Sequence, residues 1–176
     1  MPYTITSEVT CYLIPEEREA STREFLKHLH NPEETWIIAS EISIVSVIIE
    51  LIAAHTNGVP LHLYLDHSQA SGRADKYQIN RLSNAGIEVT IGTSLVGHGD
   101  LSHTKGMVVD GCPPWCWAGP LNFTGSGWHA VDMAMVFCSR EWHGRFVEEF
   151  RALRQHAWER ERSLQVMKSP PAGVVV

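Results

Sequence analysis

Between Trp36 and Gly92 short apolar segments and amphipathic segments take turns, and no other feature restricts the possible folds as much. Trp36 to Ser40 reads as a buried strand, Ile44 to His55 as a helix stopped at Asn57-Gly58, and Val59 to Asp66 as a strand ending in a carboxylate. A polar loop, HSQASGR, then leads to a helix from about Ala74 to Asn84, closed by Ala85-Gly86, and IEVTIG is the next strand. A β-α-β-α-β succession cannot bury its faces as a bundle or a sandwich. It predicts an α/β fold, with a mixed, largely parallel sheet flanked by helices on both faces.

The flanking segments extend that sheet. Thr4 to Leu13 alternates as a strand, and the charged run after Pro15 carries Phe25, Leu26 and Leu29 on one side of a helix. After the Gly-rich loop TSLVGHGD come three closely spaced strands, Thr104 to Val109, Trp115 to Ala118 and Val131 to Phe137, the first two joined through Cys112-Pro113-Pro114. A long amphipathic helix from about Glu141 to Arg162 closes the fold. One catalytic domain over 1–162, followed by a loose tail over 163–176, is the expected organisation.

The apolar run from Trp36 to Ala54 has spanning length, but Glu41 and Glu50 interrupt it, which argues against a membrane helix. The N-terminus has no basic segment followed by an apolar one, and the four cysteines form no CxxC pair. Reduced thiols, a cytoplasmic location, no stable membrane association and no metal site are therefore expected. The formal net charge is -6, so any site for a polyanion must be local.

The stretch SHTKGMVVDG supplies such a site. His103 and Lys105 are two residues apart, so in an extended chain they share a face, and a buried strand rarely begins with two cationic groups on one side. Asn122 follows in the turn AGPLNFTGSG, which the strand pairing brings back beside His103. A nucleophile, an ammonium, an amide and the hydroxyls of Thr124 and Ser126 then converge, as a phosphate site requires.

The pattern His103-x-Lys105-x-x-x-x-Asp110, followed by Gly119-x-x-Asn122-x-Thr124, resembles the signature of the phospholipase D superfamily. The likeness covers roughly residues 34 to 150, and it departs from the family where Pro120 replaces the usual serine. The chain holds one copy of the motif. It is thus similar to the small bacterial endonucleases of the superfamily, homodimers with one composite site on the two-fold axis.

The resemblance implies phosphodiester cleavage of DNA or RNA without cofactor or metal. His103 of one subunit would attack phosphorus to form a phosphohistidine, and His103 of the other would protonate the leaving oxygen. Lys105 and Asn122 would stabilise charge on the phosphate, Thr124 and Ser126 would bind it, and Asp132 would hold the second ring nitrogen of His103. Asp110 is given a structural role. His98 lines the cleft in a minority reading, and Trp128 stacks a base in another.

Only one lysine and no arginine lie between Gly97 and Asp132, so a long polyanion is expected to be gripped by Arg73, Lys76 and Arg81 or by the arginines of the last helix. Two alternatives stand beside the nuclease: a phospholipase D-type lipid phosphodiesterase, and a catalytically silent nucleic-acid-binding module of the same fold. Intact His103, Lys105 and Asn122 weigh against silence.

Overall fold

The structure is a computed structural model that describes residues 4–30, 33–95, 102–119 and 122–168, without the side chains of Trp128 and 164–168. In chain order the elements are β1 (Val9–Ile14), α1 (Arg18–Leu29), β2 (Thr35–Ala39), α2 (Val45–Thr56), β3 (Leu61–Asp66) and α3 (Arg73–Asn84). They continue with β4 (Glu88–Gly92), β5 (Gly106–Val109), β6 (Trp115–Ala118), β7 (Asp132–Cys138) and α4 (Arg140–Lys168).

Seven strands form one sheet in the order β1-β7-β6-β5-β2-β3-β4. The α/β class, the mixed sheet and the helices on both faces are as expected, but the parallel share is smaller. Only β2 with β3 and β3 with β4 are parallel. The other four pairings, β1 with β7, β7 with β6, β6 with β5 and β5 with β2, are antiparallel. The reason is connection length: parallel neighbours need a long crossover, as α2 and α3 supply, whereas β5 and β6 are joined by the tight turn at Cys112-Pro113.

Strand alternation separates two cores. On one face Ile37, Leu63, Leu65, Met107 and Trp117 meet α1, α2 and α3 through Phe25, Leu29, Ile48, Leu51 and Leu82. On the other, Trp36, Ile38, Tyr64, Val108 and Cys116 meet α4 alone, through Phe146, Val147, Phe150 and Leu153. The middle strands β2, β5 and β6 are therefore buried throughout, and they read as continuous apolar runs rather than as alternating ones. Trp115 and Trp117 are core residues, Trp115 stacked on His28 and Trp117 packed on Phe25 and Phe123. α4 continues to Lys168, past the expected end at Arg162.

Asp110 sits just after β5 and holds α4 down. Its Oδ1 accepts a 2.6 Å hydrogen bond from His143 Nε2, and its backbone N–H donates to the carbonyl of Glu34. Asp110→Asn keeps the shape and removes the charge, so we expect a loss of about 1 kcal/mol. Calorimetry should show Tm lowered by roughly 2–4 °C, with kcat of the folded protein within about threefold of wild type. A folded but inactive Asp110→Asn protein would place Asp110 in the chemistry instead.

Candidate active site

The strand directions bring one set of ends together. The C-terminal ends of β2, β3 and β6 and the N-terminal ends of β5 and β7 lie along one edge, because Ile38 pairs with Gly106, Gly106 with Ala118, and Ala118 with Met135. Both motif segments fall on this edge, which is where α/β sheets place ligands.

His103 and Lys105 precede β5 rather than lie in it, since the strand starts at Gly106. Three bonds hold this lead-in segment. Asp66, fully buried at the end of β3, accepts the Ser102 N–H at 2.8 Å with Oδ2, and its Oδ1 accepts the Ser68 N–H and hydroxyl. The Ser40 hydroxyl donates to the Ser102 carbonyl, and the Gly119 N–H reaches the Lys105 carbonyl. Asp66 thus shapes its own loop and also anchors the start of the motif.

Lys105 is buried, only 4% exposed, although its spacing from His103 places both on one face of an extended chain and His103 is exposed. Its Nζ donates to the His103 carbonyl at 2.8 Å, fastening the backbone of the imidazole-bearing residue. An ammonium has three N–H donors. Two of them have no hydrogen-bond partner among the described residues.

Burial lowers the pKa of Lys105, opposed by the charges of Glu41, Asp132 and Asp66. Glu41 is raised, first by burial and then by Asp75, with Lys105 acting the other way. Both groups therefore move toward neutrality, since desolvation outweighs their attraction.

The His103 ring is exposed and makes no hydrogen bond among the described residues. Asp132 begins β7, and its Oδ1 accepts from the Met133 N–H at 2.8 Å. The structure brings its charge to Lys105 but draws no bond from it to His103.

Asn122 lies in the turn after β6, which is tied to the start of α2. Phe123 bridges to Ile42, and its carbonyl accepts from the N–H groups of Ser43 and Ile44. Small residues allow the close approach: a Cβ on Gly119 would meet the Met133 carbonyl at 2.7 Å, and one on Gly127 the Asn122 carbonyl at 2.6 Å. The Asn122 Oδ1 is buried without a partner. Such an acceptor costs about 1–3 kcal/mol unless a donor arrives to satisfy it, which the oxygens of a phosphodiester cannot do; only the Nδ2 side of the amide can donate to them. Thr124 is already occupied, accepting the Gly127 N–H at 3.1 Å and sharing a bond with Ser126, while Ser126 is exposed.

The sequence reading missed Glu41 and Asp75. Asp75 is buried and accepts the Ile42 N–H. Glu41 was legible only as a carboxylate interrupting an apolar run, a signal that in hindsight marks a strand end at a polar site. Of the expected gripping residues, Arg81 bonds Gln78 and Arg154 bonds Glu88, whereas Arg73 and Lys76 are exposed at the start of α3. Among the described residues no three His, Cys, Asp or Glu side chains are grouped to hold a metal ion. His98 and Pro120 lie outside the described residues, as does the Trp128 side chain.

An exposed imidazole, a buried ammonium with two donors free among the described residues and an asparagine amide thus lie along one sheet edge. The family model described as cardiolipin synthase, PLD-like domain, matches residues 25–158. The chain belongs to this phospholipase D-like family, whose membership supports phosphodiesterase chemistry of hydrolase type.

Among solved structures it is similar to Nuc from Salmonella typhimurium, a phospholipase D family member. The two share 20% identity with a TM-score of 0.73, over 84% of this chain and 94% of that one. NucT from Helicobacter pylori shares 10% identity with a TM-score of 0.72, over 84% and 96%. A polyphosphate kinase from Porphyromonas gingivalis shares 15% with a TM-score of 0.64, over 94% of this chain and 27% of that one. No curated protein matches.

Proposed function

We propose that the protein is a metal-independent endonuclease acting on DNA or RNA through a phosphohistidine, in a composite site shared by two copies of the chain. The observation that carries this reading is the Lys105 ammonium, buried yet left with two uncommitted donors beside the exposed His103. His103 attacks phosphorus, the leaving oxygen takes a proton from His103 of the second subunit, and water then cleaves the P–N bond. Lys105 and Asn122 offset charge on the non-bridging oxygens throughout. Asp132 is the candidate to orient the His103 ring once the second subunit and substrate close the site, with Ser126 the hydroxyl free to meet the phosphate. Nuc and NucT are matched over 94% and 96% of their own lengths, which favours a unit of this size that stands without a second fused domain.

A lipid phosphodiester is the second reading, favoured by the description of the matched family. No helix among the described residues is long and apolar enough to cross a membrane.

Plasmid DNA, single-stranded DNA, RNA and phospholipid vesicles, each offered with excess EDTA, separate these readings. We expect nucleic acid to be cut at an undiminished rate and an acid-quenched covalent adduct to form, absent in His103→Ala. Strict dependence on magnesium would exclude the phosphohistidine route, and cleavage of phospholipid alone would transfer the site to the second reading.

A further inference from the structure

Next to the Asn122 turn a cleft of about 220 Å³ opens between the first turn of α1, the first turn of α2 and the turn itself. Arg18, Ser46, Val47, Gly125 and His129 line it. The Arg18 guanidinium lies 3.0 and 3.2 Å from the two ring nitrogens of His129. A guanidinium only donates, so in this contact a ring nitrogen of His129 is the acceptor. No carboxylate lies within 4 Å of Arg18 among the described residues. Among the described residues, a full positive charge therefore faces the cleft without a carboxylate partner.

The surroundings have the same sign. No side chain caps α2, and its first turn holds no acidic residue. Its leading N–H groups and their share of the helix dipole thus add to the potential of Arg18. The neighbouring catalytic edge is the reverse, with Glu41, Asp66, Asp75 and Asp132 set against Lys105. A strand of phosphates gains little attraction from that edge, whereas Arg18 offers a cation in the cleft that Gly125 of the same turn lines.

We propose that this cleft is a second phosphate subsite, which takes a phosphate flanking the scissile one on a bound nucleic-acid strand. The proposal rests on the nucleic-acid reading above. Asn122 and Gly125 are three residues apart, so their Cα atoms lie within roughly 11 Å. The bonds from Ser43 and Ile44 to the Phe123 carbonyl hold the cleft rigidly to the catalytic turn. Arg18 presents a planar fork suited to two phosphate oxygens, and the exposed Ser46 hydroxyl adds a neutral donor.

Two probes test the subsite: a labelled single-stranded oligonucleotide, and bis(4-nitrophenyl) phosphate, which carries one phosphorus and cannot span both sites. Arg18→Gln should weaken oligonucleotide binding roughly fivefold to tenfold and reduce the salt slope of log K by about 0.7. The ratio of kcat/KM on the oligonucleotide to that on the small diester should fall by a similar factor. Ser46→Glu puts a carboxylate where the helix dipole favours it, so Tm should hold or rise while oligonucleotide binding weakens. A folding defect cannot produce that opposition.

Wild-type salt slope and binding in both variants would overturn the subsite, and continued cutting of the oligonucleotide would then leave the nuclease reading standing. If the wild-type protein hydrolyses the small diester but neither binds nor cuts the oligonucleotide, the nuclease reading and the subsite fail together.

Discussion

An equal mixture of wild-type and His103→Ala subunits, exchanged to equilibrium, should retain about one quarter of the activity of wild-type protein at the same total concentration. Random two-fold pairing leaves that fraction of dimers with both histidines, and only those hold a nucleophile and an acid. Each chain carries one exposed His103 with no hydrogen-bond partner among the described residues, so under the proposed mechanism the proton donor is the second subunit's His103. Mixed dimers should be slower by about 10²–10⁴, the usual worth of a positioned proton donor. The pure His103→Ala protein should lose at least about 10⁴-fold, since removing a nucleophile forfeits the covalent route altogether. Activity near one half would mean that each subunit works alone, and the shared site would have to be abandoned.

Lys105→Met should lower kcat by about 10³-fold, the upper range for removing one preorganised electrostatic donor. Methionine fills nearly the same volume in a position only 4% exposed, so the fold should survive, and circular dichroism would check this. The loss should fall on kcat more than on KM, because the charge matters most as negative charge builds on the phosphate oxygens. The wild-type pH profile carries a second signature. Burial lowers the Lys105 pKa, so the ammonium is lost, and activity with it, at a pH below the ordinary lysine range. Glu41 opposes that shift, so Glu41→Gln should move the alkaline limb further down. An alkaline limb unmoved by Glu41→Gln, together with near-normal turnover in Lys105→Met, would remove Lys105 from the chemistry.

Several elements were readable from local pattern because local chemistry decides them. The alternation between Trp36 and Gly92 produced β2, α2, β3, α3 and β4 within a residue or two, since burial on one or both faces imposes its period on each segment. The pairing of β5 with β6 through the Cys112-Pro113 turn followed from chain length alone. The direction of most strand pairs did not. Four of the six pairings are antiparallel, and local periodicity is the same for either direction.

The site divides in the same way. The residue types of His103, Lys105 and Asn122 and their spacing were legible in the sequence, where they resemble the phospholipase D signature. Whether each is exposed or buried was invisible. Lys105 is enclosed because the ends of β2 and β3 bring Ser40, Glu41 and Asp66 against its segment from far away in the chain. Arg18 meets His129 across 111 positions for the same reason. The sequence by itself determined the elements and the chemical groups at the sheet edge. The tertiary structure alone decided which charges are desolvated and which face one another, because desolvation and Coulomb energy depend on distances in space, on which spacing along the chain is silent.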